Sequence, residues 1–489
     1  MVINQQKMIM SKYLELYDML IPKDNKFRKI KELIDFSFVY DELKNKYCDD
    51  NGRPAHDPIM MFKYLLIKCI ENLSDVDLVD KTRYDLSFKY FLDLAPEETN
   101  LINPSSLTKF RRQRLKDVEL LDMLIGKTVE IAVEKGIIKK RNSIIVDSTH
   151  TLSKYNVLSP RQALINESKI LRKNIYEIDA TMKSKMPKKR EASGILEDEI
   201  KYCEELIEVV EKEEQLHIIP KISEKLNLLK EMVEDNNYNL ALSKDTDARV
   251  GHKTADTSFF GYKTHIAMTP ERIITAAKIT SGEKHDGKQL PDLIEKTQKA
   301  GIEIKEIIGD SAYAEKDNLK LVSEKKIRLI AKLNKTITHG NRRNSNKFEF
   351  NKDAGMYVCQ AGHMAIKKSY NLSAEKHHQN NKEVYHFDVE KCKICPYKEG
   401  CYKEGAKSKS YAVTIKSKIH IKQAKFQNTK YFQKRYKERY KIEAKNAEIK
   451  QNFGYKQCTT EGLCGMQIQG ALTLFAVNLK RIIKLSTNW

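Results

Sequence analysis

Three acids and one group of cysteines are the side chains of this 489-residue sequence best placed to do chemistry. Asp147 closes the apolar run "SIIVD" and Asp310 closes "IKEIIGD", so each falls at the C-terminal end of a predicted strand. Ligands commonly bind at that rim in open α/β sheets. A single strand-end Asp is as readily a turn cap, whereas two on one sheet supply the clustered oxygens that a hard divalent cation needs. The third acid lies in "ERYKIEAKNAEIK" (438–450), within a basic stretch: residues 421–450 hold ten Lys/Arg and three Glu. On one helix turning about 100° per residue, with Tyr436 at zero, Arg439 lies near 300°, Glu443 near 340° and Lys450 near 320°. Glu438 (near 200°) and Glu448 (near 120°) point elsewhere. Glu443 is therefore delivered to the same face as a Tyr, an Arg and a Lys. The plainer reading is an i,i+4 pair with Arg439, worth a few tenths of a kcal/mol.

The cysteines are Cys392, Cys395 and Cys401 in "CKICPYKEGC", with Cys359 upstream in "YVCQAGH". A CxxC knuckle with two further thiols suits structural zinc in a closed tetrahedral site, with His363 a possible replacement for one ligand. A redox CxxC does not fit, because no strand-to-helix context precedes it. Cys48, Cys69, Cys203, Cys458 and Cys464 read as core or incidental. Asp245 and Asp247 in "SKDTDAR", near the core, and His265 and His285, lining the cleft, read as structural residues or as supports of the metal site rather than as catalysts.

The elements that must hold these residues follow from periodicity and punctuation. Residues 1–140 are mostly helical, and "LLDMLIGKTVEIAVEKG" ends at Gly136 as a helix should. Within them "NPSSLTKFRRQRL" offers Ser105 as an N-cap, followed by Arg111, Arg112 and Arg114 on what is either a DNA-contacting helix or an ordinary basic surface. Residues 161–237, highly charged and broken near Pro187 and Pro220, read as a helical hairpin inserted in the domain. "GYKTHIAMT" and "RIITAAKIT" form an antiparallel hairpin about Pro270. A helix, the strand ending at Asp310, another helix and "IRLIAKL" follow, giving a mixed α/β sheet. From Asn334 to Ala412 regularity fails, through "THGNRRNSNK" and the Cys-bearing segment. Long helices over 421–452 and about 460–486 close the chain.

The 88 Lys+Arg against 67 Asp+Glu leave a net charge of +21, which points to nucleic acid as the partner. No apolar run approaches the roughly 18 residues of a membrane span, and no signal peptide is apparent, so the expected location is cytoplasmic, with no membrane association. Thiols or metal ligands, rather than disulfides, are then expected.

Tyr436, Arg439, Glu443 and Lys450, at steps of three, four and seven residues, resemble the Tyr-Arg-Glu-Lys signature of a group of bacterial insertion-sequence DDE transposases. "VDST" at Asp147 and "GDSAY" at Asp310 resemble that family's first two acids, and "GRPAHDPIMMFKYLL" and "SSLTKFRRQRL" its helical N-terminal domain. The resemblance covers nearly the whole chain apart from the 161–237 helices. It implies an α/β fold with an RNase H-like catalytic core formed by 141–160, 241–333 and 413–489. A helical DNA-binding domain would occupy 1–140, a helical insertion 161–240, and a basic, Cys-rich, probable zinc-binding insertion 334–412. It also implies metal-dependent cleavage and strand transfer at the ends of the insertion sequence, by a homodimer on double-stranded DNA. Asp147, Asp310 and Glu443 would hold two Mg²⁺ ions about 3.5–4 Å apart, with Mn²⁺ as a substitute. Arg439 and Lys450 would grip phosphates, with Tyr436 hydrogen-bonding one. The alternatives are an RNase H-like nuclease without strand transfer and a catalytically silent DNA-binding regulator. Relatives that form DNA hairpins trap a flipped base on a core Trp; here the single Trp is Trp489, so either another aromatic, such as Tyr411 or Phe432, takes that role or the hairpin route is unused.

Overall fold

The structure, a computed structural model, describes residues 11–47, 55–116, 119–155, 160–188, 196–217, 219–234, 245–252, 258–334, 348–351, 353–371, 382–399, 401–414 and 417–486. Trp489, Cys48 and the "THGNRRNSNK" loop lie outside them. The helical start of the chain comprises α1 (Glu15–Leu20), α2 (Lys26–Leu33), α3 (Ser37–Leu43), α4 (Pro58–Glu71), α5 (Asp75–Thr82), α6 (Leu86–Phe91), α7 (Pro104–Gln113) and α8 (Leu120–Glu134). The cap of α7 is Asn103, whose side chain accepts from the Ser105 amide at 2.9 Å, and not Ser105 itself. Pro104 in the first helical turn needs no amide partner there, which fixes that start.

The expected mixed sheet is present. Its strands are β1 (Arg141–Leu152), β2 (Arg249–His252), β3 (Ser258–Met268), β4 (Ile274–Ser281), β5 (Glu303–Ile308) and β6 (Arg328–Ile330). They run in the order β2-β3-β1-β5-β6, with β4 on β3. The β3–β4 hairpin pairs Tyr262 with Ser281 through to Met268 with Ile274, as the two apolar runs predict. Strand β1 is longer than "SIIVD". Its parallel partner β5 ends at Ile145↔Ile308, but its antiparallel partner β3 continues from Ile145↔Met268 to Leu152↔Gly261. The β-branched Thr149 and Thr151 suit a pleated strand and carry it on. Asp147 therefore stands where the parallel pairing stops, in mid-strand rather than at the strand end.

Successive β1 residues feed two cores. Ile145 packs in the cluster built with α8 and the last helix, while Ile144 and Val146 pack with α13 (Leu290–Lys299) and α14 (Lys316–Glu324). Alternation with period two is the reason. The hairpin expected over 161–237 is instead a three-helix bundle. Helices α9 (Pro160–Ile178), α10 (Leu196–Glu211) and α12 (Pro220–Glu234), with the short α11 (Glu214–His217), enclose a core of their own including Leu171, Leu206 and Leu226. Pro220 starts a helix rather than breaking one.

Regular structure also runs through 348–414. A two-stranded sheet, β7 (Phe348–Asn351) and β8 (Met356–Cys359), is joined by a three-stranded one: β9 (Lys367–Asn371), β10 (Lys382–Phe387) and β11 (Lys409–Thr414). The short α15 (Val389–Lys393) carries Cys392. The single helix expected over 421–452 is divided into α16 (Lys418–Gln427), α17 (Lys430–Tyr436), a 3-10 turn (Lys437–Arg439) and α18 (Tyr440–Asn452). Thr429 makes the first break by accepting from the Phe432 amide at 3.2 Å. The final helix, α19 (Gly462–Ser486), is long and apolar enough to cross a membrane by length and composition, contrary to the expectation of no such run. Its Leu474, Phe475, Val477 and Leu479 are fully buried in the core against α4 and α8.

Candidate active site

Asp147 and Asp310 come together at the rim where β1 and β5 diverge. Asp310 begins the 3-10 turn Ser311–Tyr313 and accepts from the Ala312 amide at 2.9 Å, so it is a turn cap as well as a rim acid. The turn is held from outside by the loop after β4. A side chain on Gly287 would collide with the Ala312 carbonyl, so only glycine lets the two turns approach. Burial pushes the Asp147 carboxyl up to about 7; the Ser148 amide and the Arg439 charge oppose the rise, while Asp310 and Asp286 add to it. Asp310 is raised too, first by burial, against the Ala312 amide and Arg439.

Arg439 is thus the cation acting on both acids. Its Nη2 lies 3.3 Å from Glu443 Oε1 and its Nη1 donates to the Tyr436 hydroxyl at 3.4 Å. The helix-face geometry holds across the 3-10 turn, since Tyr436, Arg439 and Glu443 are joined by contacts. Glu443 is 60% exposed and engaged with Arg439, not with the two aspartates. One turn further along α18, Asn446 Nδ2 donates to Asp147 Oδ2 at 3.2 Å. Lys450 Nζ lies 3.3 Å from His150 Nδ1, three residues beyond Asp147 on β1. Among the described residues no three His, Cys, Asp or Glu side chains are gathered closely enough to hold a metal ion.

Sequence reasoning missed Asn446, Asp286 and Tyr313. Asn446 sits at i+3 from Glu443, and that spacing was available. Asp286 directly follows His285 in sequence and holds Lys263 at 3.1 Å. Tyr313, in "GDSAY", is fully buried; its hydroxyl has no hydrogen-bond partner, and its pKa is raised by burial and then by the Asp147, Asp286 and Asp310 charges.

Asp245 and Asp247 lie away from the acids, whereas the His285 charge opposes the rise of the Asp310 carboxyl and His265 Nδ1 stands 3.6 Å from Asp286. Buried Asp245 accepts from Ser153 Oγ at 2.8 Å and Tyr262 Oη at 2.5 Å, and also receives the Gly462 amide at 3.2 Å. Asp247 receives the Leu463 amide at 2.8 Å. Both therefore cap the start of α19 from a segment over 200 residues away. His265 is buried, with Nε2 3.0 Å from Thr280 Oγ1, and burial lowers its pKa to about 4. His285 is exposed beside Glu315 at 3.2 Å.

The N-terminal arginines are not one exposed patch. Arg111 is clamped by Asp75, with Nη1–Oδ1 3.1 Å and Nη2–Oδ2 2.5 Å, and Arg114 donates to the Lys46 carbonyl and lies 4.3 Å from the Tyr47 ring centre. Only Arg112 is open, 75% exposed and 3.8 Å from Glu461. Tyr411 and Phe432 are buried, stacked on Phe348 (4.5 Å) and Tyr436 (5.7 Å), so neither offers a free ring face to a base.

Cys359, Cys392, Cys395 and Cys401 line one small cavity of about 30 Å³, together with His363. Burial raises the Cys392 thiol, the nearby Lys409 lowers it, and the other three cysteines add to the rise.

A curled mixed sheet with two acids at its rim, wrapped by helices, defines an RNase H-like enzyme of the DDE class. A family model described as a transposase domain (DUF772) matches residues 15–113, and two described as transposase DDE domains match 242–375 and 358–483. The chain belongs to the insertion-sequence DDE transposases, whose domains act on DNA and generally use divalent metals. No curated protein matches it. Asp310 and Glu443 lie inside the two DDE-domain matches; Asp147 and the three-helix bundle lie in the stretch 114–241 that separates those matches from the N-terminal one.

Proposed function

We propose that this transposase cuts DNA at the ends of its own insertion sequence and joins those ends to target DNA, with Asp147, Asp310 and Glu443 as its acids. The observation that carries the reading is the convergence of two acids from adjacent parallel strands on Arg439, which also holds Glu443. The donor chemistry fits a hard divalent cation. Two carboxylates, each raised first by burial and then by neighbouring acids (Asp310 and Asp286 on Asp147, Asp286 on Asp310), lack sufficient counter-charge. Glu443 joins them when Arg439 turns to a phosphate. When bound, Mg²⁺, or Mn²⁺ in its place, supplies activation of the attacking hydroxyl and stabilisation of the leaving oxygen. The side chains of the protein position the DNA. Arg439 offers a planar fork to a phosphate, Lys450 a point charge further along, and Tyr436 a hydroxyl. Asn446 orients Asp147 through its 3.2 Å bond.

The test is a plasmid carrying the element's own terminal repeats, incubated with protein and Mg²⁺. Breaks at both ends followed by joined products are expected. Cleavage without joining would identify a nuclease, and binding without cleavage in either metal a DNA-binding regulator.

We also propose that the four cysteines, which line one cavity without being gathered into a ligand set, close on a structural zinc ion, four thiolates being the usual closed set. Purified protein is expected to hold about one zinc per chain, lost in Cys392→Ser with Cys395→Ser. Full occupancy in that double variant would dismiss the site.

A further inference from the structure

A cavity of about 630 Å³ opens at the seam between the N-terminal helices and the catalytic core, away from the acids. Its floor is apolar, including the buried Leu65 and Phe453. Its charged lining is five cations against two acids. Lys68 and Arg111 form the inner wall and are both bound to Asp75. The other three, Arg112, Lys116 and Lys154, are exposed. The second acid, Glu461, holds Arg112 only at 3.8 Å, with half of its own side chain in solvent. The lining therefore carries an excess of positive charge facing water, the complement of an anionic partner.

The position of the seam narrows the partner. Lys154 lies seven residues beyond Asp147 along β1 and its continuation, no more than roughly 23 Å at the extended rise of a strand. Lys450, beside His150, stands about 10 Å along the same path. Cations thus succeed one another from Arg439 at the acids, through Lys450, to the seam. Duplex DNA advances about 3.4 Å per base pair, so the track spans six or seven pairs.

We propose that the seam is a second DNA grip, holding the sugar-phosphate backbone six or seven base pairs inside the cut through Arg112, Lys116 and Lys154. The proposal rests on the transposase reading. It makes binding depend on both parts of the chain, because Arg112 and Lys116 come from the α7 end and Lys154 from the core strand.

The experiment is a salt titration of binding to an end duplex by the Arg112→Glu, Lys116→Glu, Lys154→Glu triple variant. Its charge-matched control is Lys169→Glu, Lys201→Glu, Lys212→Glu, all exposed on the three-helix bundle. The seam variant is expected to bind at least about tenfold more weakly, with a salt slope reduced by about 0.9 per lost phosphate contact, while the control stays close to the parent. Neutral methylphosphonates six or seven pairs from the cut should weaken the parent and leave the seam variant unchanged. Parent-like affinity and slope in the seam variant, or methylphosphonate sensitivity that it shares with the parent, would overturn the seam grip. A parent protein that neither binds nor cuts end duplexes would instead overturn the transposase reading.

Discussion

Glu443→Gln is expected to bind end DNA normally and to lose at least about a hundredfold in metal-dependent cleavage, the scale of removing one group that stabilises the transition state. Gln keeps the size and most hydrogen bonding. Phosphate contacts come from basic residues, and removing an acid makes the site more positive, so binding persists. Asp147→Asn should be equally inactive but carry a second signature. The Asp147 carboxyl, at about 7 in the folded chain against 3.8 unfolded, binds more protons in the native state between those values. The native state is therefore favoured at low pH, and that advantage is lost as pH rises through about 7. Without metal at pH 8, Asp147→Asn should unfold at a higher temperature than the parent, by a few kcal/mol at most. Near pH 4 the difference should shrink, and Mg²⁺ should stabilise the parent alone. Glu443→Gln, exposed, should show no such gain. Calorimetry with EDTA at the two pH values decides it; an Asp147→Asn protein that melts below the parent at pH 8 would refute the buried-carboxylate account. Glu295→Gln, on the exposed face of α13, is the control. Glu448→Gln is not suitable, because Glu448 holds the fully buried Lys445 at 2.9 Å.

The sheet hairpin and the last helix are legible in spacing along the chain, and so are the apolar runs that Asp147 and Asp310 follow. Exposure of a single cation is not. Arg111 and Arg114 sit in one basic run with Arg112, yet their partners Asp75 and Lys46 lie 36 and 68 residues away, and only tertiary packing reveals them. The same holds for Asp245, which resembles a site acid in sequence and serves a helix start 217 residues on. The broken helix over 418–452 is a mixed case. Thr429 is a visible cap, but no residue type announces the 3-10 turn at Lys437–Arg439. The small sheets over 348–414 are hard to read from sequence because their strands are only four to six residues long, too short for alternation to stand out, and are separated by Cys- and Gly-bearing turns.

Arg435→Met is expected to destabilise the protein by about 3–5 kcal/mol, the cost of leaving a buried charge without its partner. Glu306 on β5 ("EIKEII") has a side chain only 1% exposed, followed by the buried Ile307 and Ile308. Arg435 Nε donates to its Oε2 at 2.7 Å, and the Tyr431 hydroxyl donates to Oε1 at 2.6 Å. Arg435 Nη2 also donates to Ser143 Oγ at 2.9 Å, so this one guanidinium ties α17 to β1 and β5. Those two strands carry Asp147 and lead to Asp310, and α17 leads into Arg439 and Glu443. The network therefore sets the distance between the acids and the helix that completes them. Arg328, 3.7 Å away on an exposed side chain, is too loosely placed to substitute. Urea unfolding measures the loss, and an Arg435→Met protein within about 1 kcal/mol of the parent would show that the network contributes little. Arg435→Met combined with Glu306→Leu removes both charges and should recover most of the stability. Cleavage should recover less, since Met and Leu pack without the directional bonds that fix α17. Full recovery of both would show that packing alone positions the helix.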